Sequence, residues 1–164
     1  AVDAVRVSTE LLSLVPVLGR APLQALARIH AVASASSLPE ERRGRPRDAA
    51  SAERLRSLSE ALLAETAAPA LMVAALAHAD LATAAPFPSH NGIVARAAER
   101  LVLVARGVDP ASLTVPEAGH LAHREAYESN LRGYASGEDS GIHSWLLYAP
   151  EAFASGADAS PLRG

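Results

Sequence analysis

Between Ala67 and Thr83 the chain holds almost nothing but alanine and small aliphatic residues, and no other feature restricts the fold as much. Such residues favour helix, and small side chains let helix axes approach closely. A helix over 68–83 that is apolar on every side must be surrounded by protein, so it is expected to be the buried central helix. Aromatic residues make up only 4% of the chain, too few for a β-sandwich, whose strands want aromatic and β-branched side chains. With 164 residues, 49% of them apolar, the sequence is long enough for one domain with a real core. The expectation is a single all-α domain over 1–164, a bundle of about six to seven helices.

The other elements follow from periodicity and punctuation. A first helix is expected over 2–15, with Val7, Leu11, Leu14 and Val15 on one stripe and Pro16 and Gly19 marking its end. Pro22 opens a second that carries Leu23, Leu26, Ile29, His30 and Ala33 at helical spacing. Residues 34–50 mix serine, proline, glycine and alternating charge without either period, which predicts a mobile loop. A third helix starts at Ser51 and Ala52 and runs to Glu65. After the central fourth helix, Gly92 opens a fifth that ends at Arg106, with Gly107 in the place of a left-handed cap. A sixth is expected from Pro116 to Gly137. The last holds Ile142, Trp145, Leu146 and Phe153 and is expected to break near Pro150.

Several classes of function are excluded or disfavoured. There is no cysteine, which removes disulfides, thiolate catalysis and cysteine-ligated zinc. A net charge of −3 gives no global attraction to nucleic acid or anionic lipid. All 15 basic residues are arginine, a bias of composition more than of binding. The longest apolar run closes at His78 and Asp80, well short of the roughly 20 residues that span a bilayer. No signal peptide is visible at Ala1-Val2-Asp3-Ala4-Val5-Arg6, and a start inside a helical pattern leads to the expectation of a fragment whose natural N-terminus lies elsewhere. A cytoplasmic protein with no membrane partner is expected.

The segment between the fourth and fifth helices carries the functional signal. With Asn91-Gly92 at its start, the fifth helix presents N–H groups that have no partner within the helix, at the positive end of its dipole. Such an end accepts phosphate. Arg96, one turn inside, is placed to reach back and grip phosphate oxygens with two N–H groups. The plainer alternative is that Asn91 caps the helix and Arg96 is a surface ion-pair partner.

The residues Ala85-Pro86-Phe87-Pro88-Ser89-His90-Asn91-Gly92-Ile93-Val94-Ala95-Arg96 resemble the signature of the Fic (Fido) family. That signature reads His-Pro-Phe, two residues of which the second is usually acidic, Gly-Asn-Gly-Arg, two more, then Arg. Ala77-His78-Ala79-Asp80-Leu81 ahead of it, and Arg100-Leu101-Val102-Leu103 with Gly107 behind it, also resemble the family, so Ala67 to about Val108 carries the likeness. The resemblance implies a Fic-like helical bundle with the loop between two central helices. In that family the histidine takes a proton from a target hydroxyl, the acidic residue holds Mg²⁺, the Gly-Asn-Gly backbone cradles phosphates and the two arginines bind polyphosphate. AMP transfer is the commonest result. Here Ala85 replaces the histidine, Ser89 the acidic residue, Ile93 the first arginine and His90 the first glycine. Phe87, His90, Asn91, Gly92 and Arg96 are thereby the expected ligand-binding residues, with ATP or another nucleotide as the implied ligand and no side chain at Ser89 suited to Mg²⁺.

Other constellations are weaker. His120, Arg124, Tyr127, Leu131 and Tyr134 share a face of the sixth helix with His123 beside it. His120 and His123 lack a third ligand at local spacing, so no metal site is assigned. The face reads first as structural with a polar end; the Fic resemblance implies that this helix passes near the loop, where His120 or Arg124 is an accessory source of charge for a ligand. His30 and His78 read as core histidines and His143 as packing beside Trp145. Arg42-Arg43-Gly44-Arg45-Pro46-Arg47 resembles the core of an AT-hook. In the Fic arrangement the same stretch occupies the flap that holds a target peptide by strand addition, although proline and charge here leave no strand pattern.

The function expected from these residues is binding without catalysis, of a nucleotide-like or phosphate-containing ligand or of a protein partner. One alternative is a nucleotidyl transferase of altered chemistry, related to protein adenylyltransferases, with His90 or a residue from a missing N-terminal segment as the base. The other is a DNA-associated protein acting through Arg42 to Arg47.

Overall fold

The computed structural model describes residues 2–160, and every regular element among them is a helix. The all-α class expected from composition is therefore the class adopted. In chain order the helices are α1 (Val2–Glu10), α2 (Val15–Leu18), α3 (Pro22–Ala33), α4 (Ala49–Leu63), α5 (Ala70–Ala84), α6 (Asn91–Ala105), α7 (Pro116–Ala122), α8 (Arg124–Ala135) and α9 (Asp139–Asp158).

α5 is central, as its all-round apolar sequence requires. On one side Ala74 and Leu81 join Leu26, Ile29, Phe87, Val94 and Leu101 in the larger apolar cluster. On the other, Ala75 and Ala79 meet Trp145, Tyr148 and Ala152 of α9. Trp145 is fully buried, and its indole Nε1–H donates to the Ala75 carbonyl at 2.7 Å. Alanines on α5 are what let α6 and α9 come this close on opposite sides. Asp80 is nearly buried on α5 and is paired with Arg54 of α4, which holds the arginine pKa above its ordinary value.

α6 ends as its sequence predicts. Gly107 has φ +76°, its N–H donates to Val104, and the Val108 N–H donates to Leu103 at 3.0 Å, the two crossed bonds of a Schellman motif.

Four local expectations need correction. The first helix does not run unbroken to Val15: it tightens into a 3-10 turn over Leu11–Leu14, and Pro16 sits in the first turn of α2, where a missing N–H costs nothing. Leu23 of α3 is exposed, so that helix buries Leu26, Ile29 and His30 instead. α9 continues through Pro150, which lies on the solvent face, where water can satisfy the carbonyl left without its N–H partner.

The expected sixth helix is two helices, α7 and α8, with a break at His123 (φ −116°, ψ 37°). The cause lies in α9. A Cβ on Gly119 would stand 1.9 Å from the Ala152 carbonyl oxygen, and one on Gly141 would stand 2.0 Å from that of Gly133. These backbone contacts lie 14 residues apart along α7 and α8 (133 less 119) but 11 apart along α9 (152 less 141). At about 1.5 Å per residue a straight helix would overrun its partner by roughly 4–5 Å, and the bend at His123 absorbs the difference.

The 34–50 segment, expected to be mobile, is tied to the body at several points. The Gly44 N–H donates to His30 Nδ1 at 2.9 Å, the Arg47 N–H to the Pro86 carbonyl at 2.9 Å, and Arg47 Nη2 to the Ala84 carbonyl at 3.3 Å. It contains a 3-10 turn, Glu40–Arg42, and no strand. The following helix begins at Ala49, two residues before the expected start at Ser51, and Asp48 caps it, accepting from the Ser51 N–H at 2.7 Å.

Candidate functional site

The loop from Ala85 to His90 links α5 to α6 and is bounded by two left-handed residues, Ala85 (φ 44°) and His90 (φ 57°). Inside it Phe87 is 2% exposed and its ring stacks on His30, with centroids 4.4 Å apart and planes 6° apart. Asn91 neither caps α6 nor faces outward. Its Oδ1 accepts from the Phe87 N–H and its Nδ2 donates to the Phe87 carbonyl, both at 2.9 Å. Phe87 and the Asn91 amide are thus structural parts of the loop, and not the ligand contacts that the resemblance implies.

His90 is held on both sides. Its Nδ1 lies 2.7 Å from Ser89 Oγ and its Nε2 lies 3.6 Å from Asp3 Oδ2. It faces α1 and the His30 ring, and is not in the wall of the pocket described next.

Gly92 and Arg96 behave differently. A Cβ on Gly92 would lie 3.3 Å from Arg96 Nη1, so the guanidinium folds back over the first turn of α6 as its spacing predicts. No carboxylate pairs with Arg96 among the described residues. It opens onto a pocket of about 380 Å³ between α6, α7 and α8, whose wall also includes Glu117, His120, Arg124 and Tyr127. The structure thus brings Arg96, His120 and Arg124 together and leaves Phe87, His90 and Asn91 outside. Arg124 is paired with Glu128 at 3.0 Å, and one Glu117 carboxylate oxygen is buried without a hydrogen-bond partner.

Behind this wall lies a polar cluster that the sequence did not disclose. Glu99 of α6 is 4% exposed, and its Oε2 receives His78 Nδ1 at 2.6 Å and His120 Nε2 at 3.0 Å. The remaining nitrogens meet tyrosine hydroxyls: His78 Nε2 lies 3.0 Å from Tyr127, and His120 Nδ1 lies 2.9 Å from Tyr148. Burial alone would raise the Glu99 pKa, but His78 and the hydrogen bonds from both rings outweigh it and bring the carboxyl down to about 2. Burial also lowers His78, keeping its ring neutral. A carboxylate only accepts, so His78 donates from Nδ1 and accepts the Tyr127 O–H at Nε2. Burial raises both phenols, with Arg96 pulling Tyr127 the other way.

Sequence reasoning placed His78 in the core and His120 beside a ligand site, but it missed Glu99. The signal was present: Glu99 falls on the same helical stripe as Ala95, Ala98 and Val102, all of them buried. Among the arginines of the AT-hook-like stretch, Arg42, Arg45 and Arg47 are exposed; Arg43 is turned back to the Leu38 carbonyl, and Arg47 is held by Ser51 and the Ala84 carbonyl. No helix among the described residues is long and apolar enough to cross a membrane. No protein-family model, curated protein or solved structure matches the chain.

Proposed function

We propose that this is a Fic-like domain that binds without catalysing AMP transfer, and that its ligand is an anion of the phosphate or nucleotide class. The observation that carries the proposal is the convergence of Arg96, Arg124 and His120 on one pocket between α6, α7 and α8. Two guanidiniums on one pocket, that of Arg96 folded over the positive end of α6, are a phosphate-binding combination on physical grounds alone. Of these, Arg96 stands at the second arginine position of the motif, to which the family resemblance gives the polyphosphate. Ala85, Ser89 and Ile93 leave the loop without the base, the metal-binding carboxylate and the first arginine that transfer needs.

Thermal unfolding with ATP, ADP, AMP or pyrophosphate, each with Mg²⁺ and with EDTA, tests it. A ligand that binds only the folded chain raises the midpoint by mass action. A rise that persists in EDTA and disappears in Arg96→Ala supports the proposal; no rise with any of the four sinks it.

One observation favours a second reading, an enzyme of altered chemistry. Ser89, His90 and Asp3 stand in the order nucleophile, base and orienting carboxylate, at 2.7 and 3.6 Å. Mg²⁺-dependent loss of ATP that His90→Ala abolishes would establish it over simple binding.

A further inference from the structure

We propose that His78, Glu99 and His120 are the three protein ligands of a divalent first-row transition-metal ion. The three come from α5, α6 and α7, are each buried, and place one ligand atom apiece within 4.8 Å of one another. Convergence of two imidazoles and a carboxylate from three separate helices in an apolar interior is a costly arrangement, since each polar group must give up water. An ion would give all three a common purpose.

The donor chemistry narrows its identity. Two imidazole nitrogens and one carboxylate oxygen suit Zn²⁺, Fe²⁺, Co²⁺ or Mn²⁺, whereas Mg²⁺ and Ca²⁺ prefer all-oxygen shells. The two separations from Glu99 require little movement. In a tetrahedral site with bonds of about 2.0–2.1 Å, neighbouring ligand atoms stand about 3.3 Å apart. The present separations are 2.6 Å from Glu99 to His78 and 3.0 Å from Glu99 to His120, so the carboxylate retreats by less than about 1 Å.

The outer shell is already in place. Ligating histidines characteristically donate the other ring N–H to an oxygen, which fixes the ring. Here the outer nitrogens face Tyr127 and Tyr148. For His78, metal binding at Nδ1 needs a change of tautomer and a turn of the Tyr127 hydroxyl: the proton moves to Nε2 and is donated to the Tyr127 oxygen, whose own O–H swings away. The charge of Arg96 reaches His78 and opposes a cation, so the ligand bonds must outweigh that repulsion. Three protein ligands leave at least one position open, the pattern of a reactive metal site, not of a closed structural one. His120 and Tyr127 belong both to this cluster and to the pocket wall, so the ion would border the pocket.

The test uses the whole chain, stripped with EDTA and titrated with Co²⁺. Expected are a visible absorption band that saturates at one ion per chain, its displacement by Zn²⁺, and its loss in His120→Asn and in Glu99→Gln, each checked for helicity by circular dichroism. His123→Ala and His143→Ala keep the band. Should the cluster variants fail to fold, anomalous scattering from wild-type crystals grown with Zn²⁺ decides the matter by locating the ion between α5, α6 and α7 or elsewhere. Absence of a saturable band, an ion held at His123 or His143, or a band unchanged in a folded His120→Asn would each overturn the proposal and leave the cluster a hydrogen-bonded core.

Discussion

Asn91 and Phe87 are joined by two hydrogen bonds of opposite direction, the Asn91 amide standing in for a second strand of backbone against the Phe87 peptide groups. The residue that opens α6 therefore also fixes the loop before it, and the buried Phe87 ring is held against His30 as a result.

Asn91→Ala should cost about 1–3 kcal/mol, because it leaves a partly buried N–H and C=O of Phe87 without partners. Asn91→Asp should cost a similar amount, since a carboxylate keeps the bond from the N–H but faces the Phe87 carbonyl with another acceptor. Urea unfolding measures both. Arg96→Ala, which removes a neighbour of the Tyr127 hydroxyl but leaves that hydroxyl its bond with His78, should stay within about 0.5 kcal/mol of wild type. An Asn91 variant as stable as the Arg96 variant would mean that the loop does not depend on this clasp.

The glycines of α7 and α9 admit close backbone, whereas Gly107 after α6 admits a conformation. Gly119→Ala and Gly141→Ala each drive a methyl group into a carbonyl oxygen within 2.0 Å, and rigid helix backbone cannot step aside. A loss of about 3 kcal/mol or more is expected for each. Gly107→Ala meets no atom within 4 Å and suffers only from its φ of +76°, so about 1 kcal/mol is expected. Comparable losses at all three positions would show that α9 can move away from α7 and α8.

How much of this could be read in the sequence depended on whether a feature was local. The central α5 and the stop at Gly107 were legible because composition and cap chemistry act within a few residues. Arg96 reaching over Gly92 was legible for the same reason, through helical spacing. The break at His123 was not, since it results from backbone contacts with α9, up to 37 residues away along the chain (156 less 119). Glu99 was hidden by its type: a glutamate between alanine and arginine suggests a solvated face, and only His78 and His120, from two other helices, make its burial tolerable. Phe87 was assigned to a ligand by resemblance, while its stacking on His30 depends on α3 and could not be seen in the loop.

Acidification should weaken the fold through His30. Burial first, then the neighbouring His90, hold its pKa down to about 4 from 6.5, with the Ser89 backbone pulling the other way. The unfolded chain therefore binds the extra proton first as pH falls. The His30 contribution is complete above pH 6.5, diminishes down to about pH 4 and is constant below, a loss of about 3 kcal/mol over the window. His78 shifts in the same direction and adds to the slope. Unfolding free energies from urea titrations between pH 7.5 and pH 4 should fall less steeply for His30→Gln than for wild type. Equal slopes would show that His30 is not a neutral buried base.

Glu117 sets the charge balance of the pocket. It shares the wall with Arg96 and Arg124, and one of its carboxylate oxygens is buried without a donor. A carboxylate beside a bound phosphate repels it, and at short range near a protein surface such a repulsion is worth on the order of 1 kcal/mol or more after screening. Glu117→Gln removes the charge at nearly constant volume and supplies an amide N–H that can donate to phosphate oxygen. Pyrophosphate affinity, followed by isothermal titration calorimetry, should rise about fivefold or more, which is the equilibrium equivalent of that energy. Arg124→Ala should move it the opposite way by a smaller factor, because Arg124 is already paired with Glu128 and brings less free charge to the ligand. If Glu117→Gln leaves pyrophosphate binding unchanged while Arg96→Ala abolishes it, the anion sits at the start of α6 and not between α7 and α8.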